Sequence, residues 1–160
     1  MEYINEFGIL YELLLSLLLG GIIGFEREMA HKAAGLRTHM LVAGVSTFFV
    51  AMGDSILISY KLHGFGDLIR ADPFRVIGAI VTGLSFIGAG TIIQNKKLDR
   101  IEGLTTAASL LFVGAIGIAV ALQKFILAAG STLIVLVVNR GIMFIEKKIS
   151  FRKTDEHPEA

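Results

Sequence analysis

Two uncharged runs set the limits on what this chain can fold into: Val76 to Ile93, and Gly103 to Gln123, separated by a short charged turn. The first holds 18 residues, about what a helix needs to cross a hydrocarbon layer of roughly 30 Å. On a helical wheel Gly78, Thr82, Ser85 and Ala89 share one face, and Ala79, Gly83, Phe86 and Gly90 line the next. Ile77, Ile80, Val81, Leu84, Ile87 and Ile92 fill the rest. Lipid tails provide no hydrophobic drive between helices, so small residues mark helix contacts and bulky aliphatics mark lipid. The spacing predicts a central helix, facing protein over about half its circumference.

Composition agrees with a bilayer environment. Hydrophobic residues make up 54% of the 160, and the mean hydropathy is +0.70, well above a soluble chain. The length allows one domain. A net charge of +1 gives no support for a nucleic-acid partner. With no cysteine, disulfides and thiolate metal sites are excluded. Met1 to Phe25 does not read as a cleavable signal, because its start carries Glu2 and Glu6 and no Lys or Arg.

Five spans are expected: about Phe7–Phe25, Thr38–Tyr60, Arg75–Gln94, Leu104–Leu122 and Phe125–Ile145. Residues 1–146 form the transmembrane domain and 147–160 a short polar tail, frayed at its end. Ten Lys and Arg fall in the first turn, the third turn and the tail, against four (Lys61, Arg70, Arg75, Lys124) in the opposite loops. The bias predicts an N-terminus outside and a cytoplasmic C-terminus. Arg140, about a turn from the inner end, can snorkel. Gly35-Leu36-Arg37-Thr38 is echoed 68 residues later by Gly103-Leu104-Thr105-Thr106. Each Gly can end one helix and each Thr cap the next, so two parallel hairpins plus a fifth helix form one reading and chance the other.

The polar residues sort by face and depth. Glu12, Ser16, Gly20, Ile23, Glu26 and Arg27 share a face of the first span. His39, Ala43, Ser46, Thr47, Val50, Gly53 and Asp54 share one of the second. Gly20 and Gly24 have the GxxxG spacing of closely packed helices. Glu12 and Asp54 lie in the outer third, with Asp72 and Arg75 at the outer mouth of the third helix. Glu26, Arg27, Arg37 and Arg140 lie near the inner surface. Only Ser and Thr remain at mid-depth, which argues against transport by this chain alone. Glu12, Asp54 and Asp72 read either as an outer site for a hard divalent cation or as snorkelling carboxylates, one paired with Arg75. Glu26 and Arg27 read as a structural pair or a functional site, and Gly83, Gly88 and Gly90 as packing before pathway. The histidines lack metal-ligand spacing, and no nucleophile triad or phosphate loop appears. No enzymatic activity is expected.

These motifs together resemble the MgtC/SapB family of bacterial inner-membrane proteins. The resemblance rests on Gly20-x-x-x-Gly24-x-Glu26-Arg27, Ala34-Gly35-Leu36-Arg37-Thr38, Asp72-Pro73-x-Arg75, Gly83-x-x-Phe86-x-Gly88-Ala89-Gly90 and Gly103-Leu104-Thr105-Thr106-Ala107-Ala108, and runs from about Leu13 to Lys147. It implies an all-α, five-span domain linked to growth under Mg²⁺ limitation, and in some pathogens to survival inside phagocytes. It implies action by contacting other membrane proteins, the proton-translocating ATP synthase among them, rather than by moving Mg²⁺. Longer relatives carry a cytoplasmic C-terminal domain where this sequence has a short tail.

The expectation is therefore a non-enzymatic modulator in the bacterial inner membrane. Its docking group for a partner or anion is Glu26, Arg27, Gly35, Arg37, Thr38, Gly103, Thr105 and Thr106. Gly20, Gly24, Gly83, Gly88 and Gly90 pack the bundle, and spare small faces allow a homodimer. No cofactor is expected beyond weakly held Mg²⁺ at Glu12, Asp54, Asp72 and Arg75. The alternative is a transporter or channel for Mg²⁺ or another small ion. A third reading, lipid or small-metabolite binding between the hairpins, has no sequence sign of its own.

Overall fold

The computed structural model describes residues 6–63, 72–95 and 100–155. Five helices appear: α1 (Glu6–Met29), α2 (Leu36–Leu62), α3 (Pro73–Gly90), α4 (Leu104–Ala121) and α5 (Phe125–Asp155). The charged turn between α3 and α4 holds an unexpected antiparallel hairpin, β1 (Ile93–Asn95) and β2 (Arg100–Glu102), with Gln94 opposite Ile101. α1, α2 and α4 are long and apolar enough to cross a membrane, while α3 and α5 carry shorter apolar segments, Phe74–Gly90 and Phe125–Gly141.

The helices are built with their small and polar residues inward. α1 buries Glu12, Ser16, Gly20, Ile23, Glu26 and Arg27 and exposes Leu10, Leu14, Leu18 and Ile22. That inversion suits a lipid surround, where a polar side chain costs least when it faces protein. α2 buries His39, Ala43, Ser46, Thr47 and Val50 on the expected face, but Asp54 is exposed.

The central helix is α4, not α3. α4 touches α1, α2, α3 and α5, and its Leu110, Val113, Ile116 and Val120 are almost wholly buried. Its glycines make this possible: a Cβ on Gly117 would run into the Ala43 carbonyl, and one on Gly114 into Leu84 Cδ1. α3 is peripheral, and its wheel is reversed from expectation. Ile80 and Leu84 point inward, whereas Thr82, Ser85 and Ala89 are exposed. The small partner in that contact is Gly114 of α4, so the bulky side of α3 supplies the knob.

The echo in the sequence has a structural counterpart. A Cβ at Gly20 would stand 2.8 Å from Ala43 Cβ and 2.6 Å from the His39 carbonyl oxygen. The Gly20–His39 contact recurs 68 positions on in both members, where a Cβ at Gly88 would meet Ala107 Cβ at 3.3 Å. The α1–α2 and α3–α4 hairpins therefore share this one glycine contact. At the positions of Glu26 and Arg27 the second hairpin has Gln94 and Asn95, in β1.

Helix ends follow other rules than those expected. His31 (φ 52) and Gln123 (φ 58) end α1 and α4 in the left-handed conformation, with the paired reverse hydrogen bonds Lys32 N to Arg27 O and Lys124 N to Ala119 O. Gly35 and Gly103 are N-caps with no side-chain cap, so neither Thr38 nor Thr105 caps a helix. Gly103 has φ 92, a conformation glycine adopts without Cβ strain. The expected boundary between transmembrane domain and tail at 146/147 falls inside α5, which continues to Asp155.

Candidate functional site

The polar end of the bundle is assembled where α1 finishes and α2 and α4 begin. Arg27 donates from Nε to Glu26 Oε2 at 2.7 Å and from Nη2 to Oε1 at 2.9 Å. Both residues are buried, at 2% and 4% exposure. A two-point pair of this kind satisfies both groups at once, and the basic residue in the last turn of α1 also suits the helix dipole.

Beside the pair lies His39, fully buried. Its Nδ1 is 2.8 Å from Gly35 O and its Nε2 is 2.9 Å from Ser109 Oγ. A carbonyl only accepts, so Nδ1 carries a proton. The Ser109 hydroxyl also lies 2.9 Å from Thr106 O. With a neutral ring it donates to Nε2; with a charged ring it accepts from Nε2 and donates to Thr106 O. Further along, Thr47 Oγ1 donates to Gly117 O at 2.8 Å. These two contacts, each spanning 70 positions, fix α2 and α4 as parallel neighbours and place their first turns side by side.

A family model described as the MgtC family matches residues 13–148. The chain belongs to the MgtC family. Among curated relatives it is similar to "Protein MgtC" of Brucella abortus (strain 2308), 39% identical over 138 residues, covering 84% of this chain and 51% of the relative. It is similar to "Putative magnesium transporter YhiD" of Escherichia coli (strain K12), 38% identical over 113 residues, 68% of this chain and 48% of the relative. "Protein SapB" of Bacillus subtilis (strain 168) is 33% identical over 141 residues, 88% and 59%. The chain spans about half the length of the curated relatives it matches. No solved structure matches it. Apolar helices and family together mark a membrane protein.

In this MgtC-family chain the expected docking group is divided by burial. Glu26, Arg27 and Thr106 are buried, Thr38 and the two glycines Gly35 and Gly103 are half-buried, and Arg37 and Thr105 are exposed. Glu26 and Arg27 are thus turned to each other rather than to a partner. An anion site at the start of α2 is already filled from within: Leu36 N donates to Glu28 Oε2 at 2.8 Å. Arg37 shares this end of the molecule with exposed His31 and Lys32.

At the other end the expected cation group does not assemble. Glu12 is buried and accepts from Gln123 Nε2 at 3.2 Å. Asp54 is exposed on α2. Asp72 is the N-cap of α3, its Oδ1 accepting from Phe74 N at 3.0 Å. Among the described residues no three His, Cys, Asp or Glu converge, and no carboxylate pairs with Arg75 within 4.0 Å. Within the single chain Gly20, Gly24 and Gly88 face a neighbouring helix, but nothing lies within 4 Å of a Cβ at Gly83 or Gly90. Those two are not packing glycines here, because α3 turns its other face inward.

Sequence reasoning missed three residues. His39 was visible on the small-residue face of the second span. Glu28 and Gln123 gave no signal, since each acts through a fold-dependent contact, at Leu36 N and Glu12.

Proposed function

We propose that this chain acts as a non-enzymatic modulator of other membrane proteins in adaptation to low Mg²⁺. In this reading it is a five-span domain of the bacterial inner membrane, N-terminus outside and C-terminus cytoplasmic. It works by side-to-side contact with partners, a proton-translocating ATP synthase or a second copy among them.

The observation that carries the reading is the way the bundle interior is filled. Its polar side chains Ser16, Ser46, Thr47 and Thr132 bond to backbone carbonyls, and its glycines are pressed on backbone at Gly20 and Gly117. Such packing favours a rigid scaffold over a hydrated path, because an ion route needs polar groups turned toward a lumen. Exposed Arg37, His31 and Lys32 then offer a basic contact at the cytoplasmic rim.

The name of the Escherichia coli relative, "Putative magnesium transporter YhiD", favours the second reading, an Mg²⁺ transporter. Purified chain in liposomes, loaded with a Mg²⁺-sensitive dye, separates the two. The modulator reading expects no flux above empty liposomes and membrane proteins co-purifying from native membranes. Saturable Mg²⁺ entry would overturn it.

A further inference from the structure

A groove of about 680 Å³ lies between α2 and α3, that is, between the two hairpins. Its walls include Phe49, Met52 and Ile56 of α2 and Val76, Ile80 and Ile87 of α3. Among the described residues Arg75 is the only charged one that lines it, and it stands at one end, in the first turn of α3. We propose that this groove is a binding site for one anionic phospholipid, with its phosphate on Arg75 and its hydrocarbon between α2 and α3.

Charge is the first argument. Arg75 is exposed, and among the described residues no carboxylate lies within 4.0 Å of it. Asp72, the nearest candidate in sequence, is engaged as the N-cap on Phe74 N. The start of α3 adds its own partial positive charge. A guanidinium free to make two parallel hydrogen bonds matches a phosphate better than any neutral headgroup.

Dimensions supply the second argument. From Arg75 to Ile87 the groove runs roughly 18 Å along α3, close to the roughly 15 Å depth of one hydrocarbon leaflet. The apolar walls along that length, Phe49, Met52 and Ile56 on one side and Val76, Ile80 and Ile87 on the other, suit extended hydrocarbon chains. Gly83 faces the open slot, with nothing within 4 Å of a Cβ there.

The test is lipid retention by the purified full chain, read by native mass spectrometry after exchange into equal phosphatidylglycerol and phosphatidylcholine of matched chains. Wild type should retain phosphatidylglycerol roughly fivefold over phosphatidylcholine, and Arg75→Gln should remove that preference while Arg75→Lys keeps most of it. Gly83→Leu fills open space and should lower retention of both lipids. Lys61→Gln, at the same end but outside the groove, should change nothing. Equal retention by wild type, an equal loss in Lys61→Gln, or displacement by glycerol phosphate alone would overturn the proposal. So would a lipid-free dimer cross-linked through cysteines placed at Gly83.

Discussion

His39 Nε2 stands 2.9 Å from Ser109 Oγ, and through that contact the start of α2 is tied to the start of α4. Neither residue reaches the other's helix by accident of surface packing: His39 is fully buried and Ser109 nearly so. The His39 Cβ packs against α1 at Gly24, where an added Cβ would stand 2.8 Å from it. One residue therefore joins three helices, α1 through its Cβ at Gly24 and α2 and α4 through the hydrogen bonds of its ring.

Removing the serine hydroxyl tests the polar part of that junction. Ser109→Ala should cost about 0.6–1.7 kcal/mol, the range for an interhelical hydrogen bond in a membrane. His39→Ala should cost about 2–5 kcal/mol, because it adds a cavity between three helices. Thermal unfolding in detergent reads both. An unchanged midpoint for His39→Ala would show that the ring is not held where α1, α2 and α4 meet.

The Glu26–Arg27 pair makes a different demand. Cutting either partner leaves a buried charge alone, so Glu26→Ala or Arg27→Ala should each cost about 3–5 kcal/mol. Glu26→Gln combined with Arg27→Met removes both charges at similar volume and should cost less than either truncation. A double-mutant cycle in detergent gives the coupling. Independent, additive losses would mean the two side chains are solvated rather than paired.

The inward faces of α1 and α2 were legible because depth and chemistry agreed on them. Each carries polar and small residues at helical spacing, and Glu12, Ser16, Gly20 and Arg27, which share one face of the first span in the sequence, are all buried. α3 departs from expectation because small residues mark a close contact without saying which helix supplies them. Gly114 and Gly117 on α4 did so here, and α4 reads as apolar all round. The burial of part of the docking group is hidden in the sequence for a related reason. Sequence depth put Glu26 and Arg27 near water, but the neighbouring helix starts close over them. Glu28 on Leu36 N and Gln123 on Glu12 depend on turns whose left-handed residues, His31 and Gln123, carry no glycine signature.

The exposed basic rim separates docking from folding. Arg37 is exposed in the first turn of α2 and has no carboxylate within 4.0 Å among the described residues. Arg37→Ala should shift stability by no more than about 0.5 kcal/mol while removing co-purification of membrane partners. Glu28→Ala should do the reverse. It frees the Leu36 N–H and costs about 0.5–2 kcal/mol as a lost cap, with partners still recovered. Loss of partners in both variants, at matched expression, would point to general unfolding instead of a contact at Arg37.

The glycines divide into two classes that a single substitution series resolves. Gly20→Ala would set a methyl 2.6 Å from the His39 carbonyl oxygen, and Gly117→Ala would drive one into the Ala43 carbonyl. Backbone cannot yield as a side-chain tip can, so each should cost about 1–3 kcal/mol. Gly83→Ala and Gly90→Ala meet open space on α3. There the methyl costs no contact and adds helix propensity, worth up to about 1 kcal/mol in a soluble helix, so these variants should unfold at or slightly above the wild-type temperature. A small lipid-facing methyl does not change this order. If Gly83→Ala or Gly90→Ala instead falls as far as Gly20→Ala, the open face of α3 is covered in the membrane by another helix, and α3 is an interface rather than an edge.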